Sequence, residues 1–402
     1  MKPRPLRLIR LLARGVLPLL ATSCTDRAAK DSGGNLAMAS QHVRLDTVSL
    51  SCSDPNERPI IGVADELGLD SSSRLLILDR RANRIVAVDS LGRCKTIGRA
   101  GGGPGELISP SGMTVLADGR IAVGDFGRQG IVIFDEDGAF DHNLNVRFTG
   151  EPSGEHPLVA SRAAVLLSEA IPVPRRANGS IRARERFVRF SLTGDSLATV
   201  TPSPPVAGEC LRGSALELGI STQYAASFQY VGGADGSVIG GCTQSDSIWR
   251  YDIVSPSLPT LLARVERARP EIPSALRDLL LDEAQKRFVA DIPKLQTTDI
   301  DAPERLPAWR YLARMDADRI VLLTIDSVTL RIPSEVVGES RVRPWYGLHI
   351  INTRLGGQQH VGLQNVVVRS AGIAAGRDMV LVRIELESGE EAVLRVRVVP
   401  NE

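Results

Sequence analysis

The 402-residue chain is poor in aromatic side chains, which make up 4% of it, and it holds only five cysteines and five histidines. The histidines, at 42, 142, 156, 349 and 360, lack ligand spacing, and no cysteine pair has the close Cys-x-x-Cys spacing of a metal knuckle. That pattern leaves no recognisable zinc site. An excess of charge of one sign is missing too, since 48 Lys and Arg balance 47 Asp and Glu to a net charge of +1. Beyond the extreme N-terminus there is no basic tract, and binding to phosphate backbones needs clustered cations, so a nucleic-acid partner is disfavoured. No Gly-x-Ser-x-Gly elbow precedes a helix, which argues against a serine hydrolase of the usual kind. What is abundant is apolar residues at 43%, with 37 glycines and 24 prolines. This composition suits a large, turn-rich β core and excludes a disordered polymer.

The first residues have the layout of an export signal. Lys2, Arg4, Arg7, Arg10 and Arg14 form a cationic region and Gly15 to Ala21 an apolar run too short to span a bilayer. The run ends in Leu20-Ala21-Thr22-Ser23-Cys24, which resembles a bacterial lipobox, so residues 1–24 are expected to be a signal peptide with Cys24 as the lipidated N-terminus. Residues 25–41 are small and polar and are expected to form a flexible tether. Plain secretion and an uncleaved anchor are the other readings. Cys52, Cys94, Cys210 and Cys242 remain, an even number that favours disulfides in an exported chain. Pairing neighbours in sequence gives Cys52 with Cys94 and Cys210 with Cys242; two other pairings stay open.

A short unit is written twice, as Leu78 to Gly92 and again as Gly124 to Gly138: an apolar strand ending in Asp, a polar turn, an alternating strand and a Gly-containing turn. That is the signature of antiparallel repeats. Units of the same rhythm start at Arg74, Gly112, Ala163, Tyr230, Arg319 and Ile373, and Ala-Asp-Gly turns recur at 117–119 and 234–236, where Gly tolerates the positive φ of a tight hairpin. The spacing predicts an all-β, six-bladed β-propeller over residues 42–402. Its alternating segment Val43–Leu50 closes the last blade. Between blades 4 and 5 the apolar period changes: Leu276, Leu279, Leu280, Ala284 and Phe288 predict a short helical insertion at about 271–292, with Ser274 as its cap.

Asp79, Asn83, Arg84 and Ile85, and again Asp125, Arg128, Ile131 and Phe134, resemble the pattern of six-bladed propellers related to NHL repeats, a TolB-like type of architecture. The Gly98–Leu107 segment resembles the connector of that family. The resemblance implies a fold and an exported, often lipid-anchored setting, but no single activity. Asp79 and Asp125, with Arg84 and Arg128, are candidates to ring the central channel and bind a cation or polar ligand; alternatively, each Asp caps its turn or pairs with its Arg. Trp249, Trp309 and Trp345 are candidate binding platforms or core residues. Gly101–Gly105 lacks the Gly-Lys-Ser/Thr ending of a phosphate loop and reads as a blade connector. Three functions follow, one of them a purely structural envelope protein that takes no ligand. The first is a non-catalytic cell-envelope binding module that needs no cofactor, with an envelope protein or small polar ligand as partner. The second is a hydrolase or lyase holding a divalent cation with channel-mouth carboxylates such as Asp79 and Asp125.

Overall fold

The computed structural model describes residues 42–49, 66–146, 151–152, 158–161, 164–173, 182–192, 197–202, 228–233, 235–252, 258–267, 269–275, 277–278, 282, 305–330, 342–363, 373–376, 378–385 and 391–399. They form six antiparallel sheets, the blades of a propeller. Blade 1 runs through Glu66–Leu69, Leu75–Asp79, Arg84–Val88 and Cys94–Ile97. Blade 2 runs through Pro110–Val115, Ile121–Asp125, Gly130–Phe134 and Phe140–Asn145. Blade 3 has Leu158–Ser161, Ala164–Val173, Arg182–Ser191 and Leu197–Pro202, with Glu151–Pro152 paired to its second strand. Blade 4 has Phe228–Gly232, Val238–Cys242, Ser247–Tyr251 and Thr260–Arg264. Blade 5 has Tyr311–Arg314, Arg319–Leu330, Val342–Asn352 and Gln358–Leu363.

Blade 6 takes three strands from the C-terminal end, Ile373–Gly376, Met379–Glu385 and Glu391–Val399, and its fourth from the other end, His42–Ser49. The expected closing strand is thus present, one residue earlier than its sequence bounds. It pairs antiparallel with Glu391–Val399 over eight positions, from His42 opposite Val399 to Ser49 opposite Ala392. The ring also closes at its centre. Each innermost strand touches those of its two neighbouring blades, and Ile373–Gly376 returns to Glu66–Leu69.

Packing explains why many of these strands are apolar without interruption. The core is six clusters, each between two consecutive blades. Along Leu75–Asp79 the odd positions Leu75 and Ile77 face blade 6, and the even positions Leu76 and Leu78 face blade 2. A central strand is therefore buried on both faces, and every position of Leu75–Asp79, Arg84–Val88, Ile121–Asp125 and Gly130–Phe134 is buried.

The turns have their own chemistry. Asp70 accepts from the Ser72 and Arg74 N–H groups, Asp89 from Leu91 and Arg93, and Asp316 from Asp318 and Arg319; each of these Asp side chains also pairs with the Arg that closes its hairpin. In both Ala-Asp-Gly turns the glycine, Gly119 or Gly236, sits at φ 89°, a left-handed conformation that glycine adopts without penalty. Between blades 4 and 5, Ser274, Ala275, Arg277, Asp278 and Asp282 have helical backbone. Arg277 N–H donates to the Pro273 carbonyl, so Pro273 holds the cap position expected for Ser274. The rest of the expected insertion lies outside the described residues.

Candidate functional site

A propeller's innermost strands turn one backbone edge toward the central axis, and its N–H and C=O groups need partners there. Side chains from the preceding blade supply two of them. Glu66, buried, accepts from Met113 N–H at 2.7 Å, and Thr114 Oγ1 accepts from Ala160 N–H at 3.1 Å. Between the six innermost strands lies a cavity of about 420 Å³. It extends to the face that carries the turns between first and second strands, where Asp70, Ser71, Ala117 and Gly119 line it.

The wall mixes polar and apolar groups, and its charged side chains are Glu66, Asp70 and Arg314. Two of these are engaged: Glu66 by Met113, and Asp70 by its own turn and Arg74. Arg314 differs. It ends the innermost strand of blade 5, and its Nη1 is buried without a hydrogen-bond partner. Burial pushes the guanidinium below its usual pKa, and the negative charges of Asp235 and Asp316 partly offset that. Both acids are engaged elsewhere, Asp235 by Ser237 and Asp316 by Arg319.

The residues singled out from sequence lie elsewhere, and none of them lines this cavity. Asp79 is fully buried and accepts from Ala82 N–H at 3.1 Å, with Arg84 Nε at 3.4 Å. Asp125, also fully buried, accepts from Ile108 and Ser109 N–H at 2.8 Å each and from Gly127 N–H at 3.1 Å. Arg128 pairs with Asp125 at 3.4 Å and donates to the Gly101 and Gly103 carbonyls. The glycine segment is thereby pinned as the connector from blade 1 to blade 2. Asn83 and Gln129, four residues after each Asp, share φ values of 51° and 53°, so the repeated motif encodes a turn with a left-handed corner. Trp309 is fully buried in the core between blades 4 and 5, its Nε1 donating to the Ser245 carbonyl at 3.0 Å. Trp249 packs on the core between blades 3 and 4, and Trp345 is half-buried in the third strand of blade 5. Cys94 and Cys242 are each disulfide-bonded; Cys24, Cys52 and Cys210 lie outside the described residues.

A second polar cluster joins blades 4 and 5. Arg267 donates to Thr324 and Asp326, His360 Nε2 lies 3.0 Å from Asp326 Oδ2, and His349 Nε2 lies 2.6 Å from Gln358 Oε1. The Gln358 oxygen also accepts from Glu266 N–H, so His349 Nε2 is the protonated nitrogen. Its Nδ1 is left buried without a partner. Burial pushes the His349 pKa down, with the hydrogen bond to Gln358 opposing, and the Arg267 charge lowers it further. The unfolded chain, with an ordinary imidazole near 6.5, therefore takes up this proton first as pH falls. Stability is expected to decline as pH drops below about 6.5, and His349→Asn is expected to flatten that slope in urea titrations at several pH values. Asp326 works in a lower window. Burial raises its pKa, but the hydrogen bonds to His360 and Arg267 outweigh this and hold it below 3.8, so its contribution is lost only in stronger acid.

No family model matches the chain, and no curated protein matches it. Among solved structures it is similar to a member of the DUF4221 family from Bacteroides vulgatus, with 12% identity, a TM-score of 0.51, and coverage of 89% of this chain and 99% of that one. It is similar as well to a Bacteroides fragilis protein provisionally described as exported, with 13% identity, a TM-score of 0.50, and coverage of 89% and 95%. Likeness at this level of identity speaks to architecture alone, and it agrees with the ring of blades described above: the chain is a six-bladed β-propeller.

Proposed function

We propose that this chain is an exported propeller, lipid-anchored to the cell envelope through Cys24, that works as a non-catalytic binding module with its ligand seat in the central channel. The observation that carries the reading is the state of its acids. Glu66 and Asp70, which line the channel, and Asp79 and Asp125, at the turns, all have oxygens engaged by backbone N–H groups. Carboxylates tied into folding in this way are poorly placed to hold a divalent ion for hydrolysis or elimination. The cavity, in contrast, has the size and mixed lining of a small-molecule site. The disulfides at Cys94 and Cys242 support an oxidising compartment. Their proposed partners are Cys52 and Cys210.

The test uses the full chain extracted from membranes in detergent. Intact mass is expected to show acylation at Cys24 and no free thiol. Titration with calcium, zinc and manganese is expected to give no stoichiometric uptake. In a thermal screen of small metabolites, a true ligand at a hundred times its Kd would stabilise the chain by about 2.7 kcal/mol. Stoichiometric metal uptake that is lost on Asp79→Asn or Asp70→Asn would overturn the reading in favour of a metal-dependent enzyme.

A further inference from the structure

We infer that the face of the propeller carrying the turns between third and fourth strands lies on a lipid bilayer, with Leu91, Leu258 and Leu355 dipping into it. The inference rests on the anchor at Cys24 and adds which surface of the anchored domain meets the membrane. Three observations converge on it.

First, seven large apolar side chains are exposed among the described residues, and the three most exposed are these leucines, at 73%, 86% and 61%. Each falls between the third and fourth strands of its blade. Leu91 lies between Arg84–Val88 and Cys94–Ile97, Leu258 between Ser247–Tyr251 and Thr260–Arg264, and Leu355 between Val342–Asn352 and Gln358–Leu363. In an antiparallel blade that turn lies at the end away from the turn between second and third strands, so in the ring the three leucines share one face. A single exposed leucine is ordinary on a protein surface, but three at equivalent turns of one face form a pattern.

Second, the tips are spread out. Leu91 is on blade 1 and Leu258 on blade 4, across the six-bladed ring from it, with Leu355 on blade 5. The core of a protein interface is a contiguous apolar patch, which separate tips do not supply. A bilayer is a plane and takes each tip by itself.

Third, the chain enters the domain on this face. His42 starts the outermost strand of blade 6 opposite Val399, as Cys94 starts that of blade 1 opposite Val88. It therefore stands where other blades have the turn from third to fourth strand. Only the 17 residues 25–41 separate it from Cys24, a link of at most about 60 Å. The anchor thus pulls on the edge of this face.

The attraction is apolar. Arg93 near Leu91 is paired with Asp89, Arg354 next to Leu355 with Asp318, and the matching turn of blade 2 is acidic, Asp135-Glu136-Asp137. Such a surface gains nothing from anionic headgroups.

The experiment places the full chain, extracted with its anchor, in phosphatidylcholine vesicles whose acyl chains are brominated near the headgroup. One tryptophan is added at a time: Leu91→Trp, Leu258→Trp, Leu355→Trp and, in the turn between second and third strands of blade 2 on the opposite face, Phe126→Trp. Over the background of the three native tryptophans, the emission added at each leucine position is expected to fall by about half or more relative to unbrominated vesicles, and that added at Phe126 to stay unchanged. Replacing about a third of the lipid with phosphatidylglycerol is expected to leave the quenching as it is. If the chain floats with the vesicles but the leucine positions are not quenched, or Phe126→Trp is quenched as strongly, the anchor stands and the inference falls. If the chain does not float, the anchor reading fails and the inference with it. Quenching that requires phosphatidylglycerol would overturn the apolar account. Dimers of the full chain in detergent that are lost when all three leucines are changed to Ser would make this face an interface between two copies and overturn the inference as well.

Discussion

Replacing Asp125 by Ala is expected to lower the folding stability by about 3 kcal/mol, read as a shift of the urea midpoint, because a fully buried carboxylate and the three backbone N–H bonds it accepts are lost together. The side chain is fully buried and accepts from three backbone N–H groups. Two of these, Ile108 and Ser109, belong to the segment entering blade 2, and the third, Gly127, belongs to the turn that Asp125 itself starts. Arg128 would lose its ionic partner as well, although its bonds to the Gly101 and Gly103 carbonyls would remain. One residue thus ties a turn, a blade connector and a half-buried guanidinium, so the loss is cooperative and large against a typical total of 5–15 kcal/mol. Asp125→Asn keeps one acceptor oxygen and is expected to fall between the two. A midpoint within the error of the unaltered chain for Asp125→Ala would show that water replaces the carboxylate at no cost and would defeat the account.

That expectation also shows how much the sequence could reveal. The strands buried on both faces were legible because their apolar residues run without interruption, as in Leu75–Leu78 and Ile131–Phe134. The closing strand was legible because Val43–Leu50 alternates and belongs to no unit of its own, and the strand observed is His42–Ser49. The innermost strands Glu66–Leu69 and Leu158–Ser161 were not. They are four residues long and turn one edge to the channel, so they carry little periodicity to read. At the site, the residues that stood out were those that recur. Asp79 and Asp125 repeat because blades 1 and 2 share the same turn with a left-handed corner, which each Asp holds by accepting from a backbone N–H. Arg314 occurs once, at the end of an otherwise apolar strand, Tyr311–Arg314, and a repeat search passes over it.

Removing the closing strand is expected to have the other large effect. A chain beginning at residue 50 would leave Glu391–Val399 as a bare edge, with the eight positions that face His42–Ser49 unpaired. The pairing joins two segments some 350 positions apart in sequence, so its loss does more than delete local hydrogen bonds: it frees blade 6 to peel away from the clusters it shares with blades 5 and 1. Part of the lost bonding is offset by the entropy of residues that no longer need ordering, so the net loss is expected to be about 5 kcal/mol, or roughly 5–10 °C in melting temperature for a domain of this size. The exposed edge adds a kinetic penalty, since an unpaired strand templates association with another chain. A chain beginning at residue 42 is the matched control and is expected to melt like the full chain. The comparison is read by calorimetry and by light scattering during heating. Equal melting temperatures for the two truncations, with no added scattering in the shorter one, would mean that the contact between Ile373–Gly376 and Glu66–Leu69 closes the ring by itself and that the strand exchange at blade 6 contributes little to holding it shut.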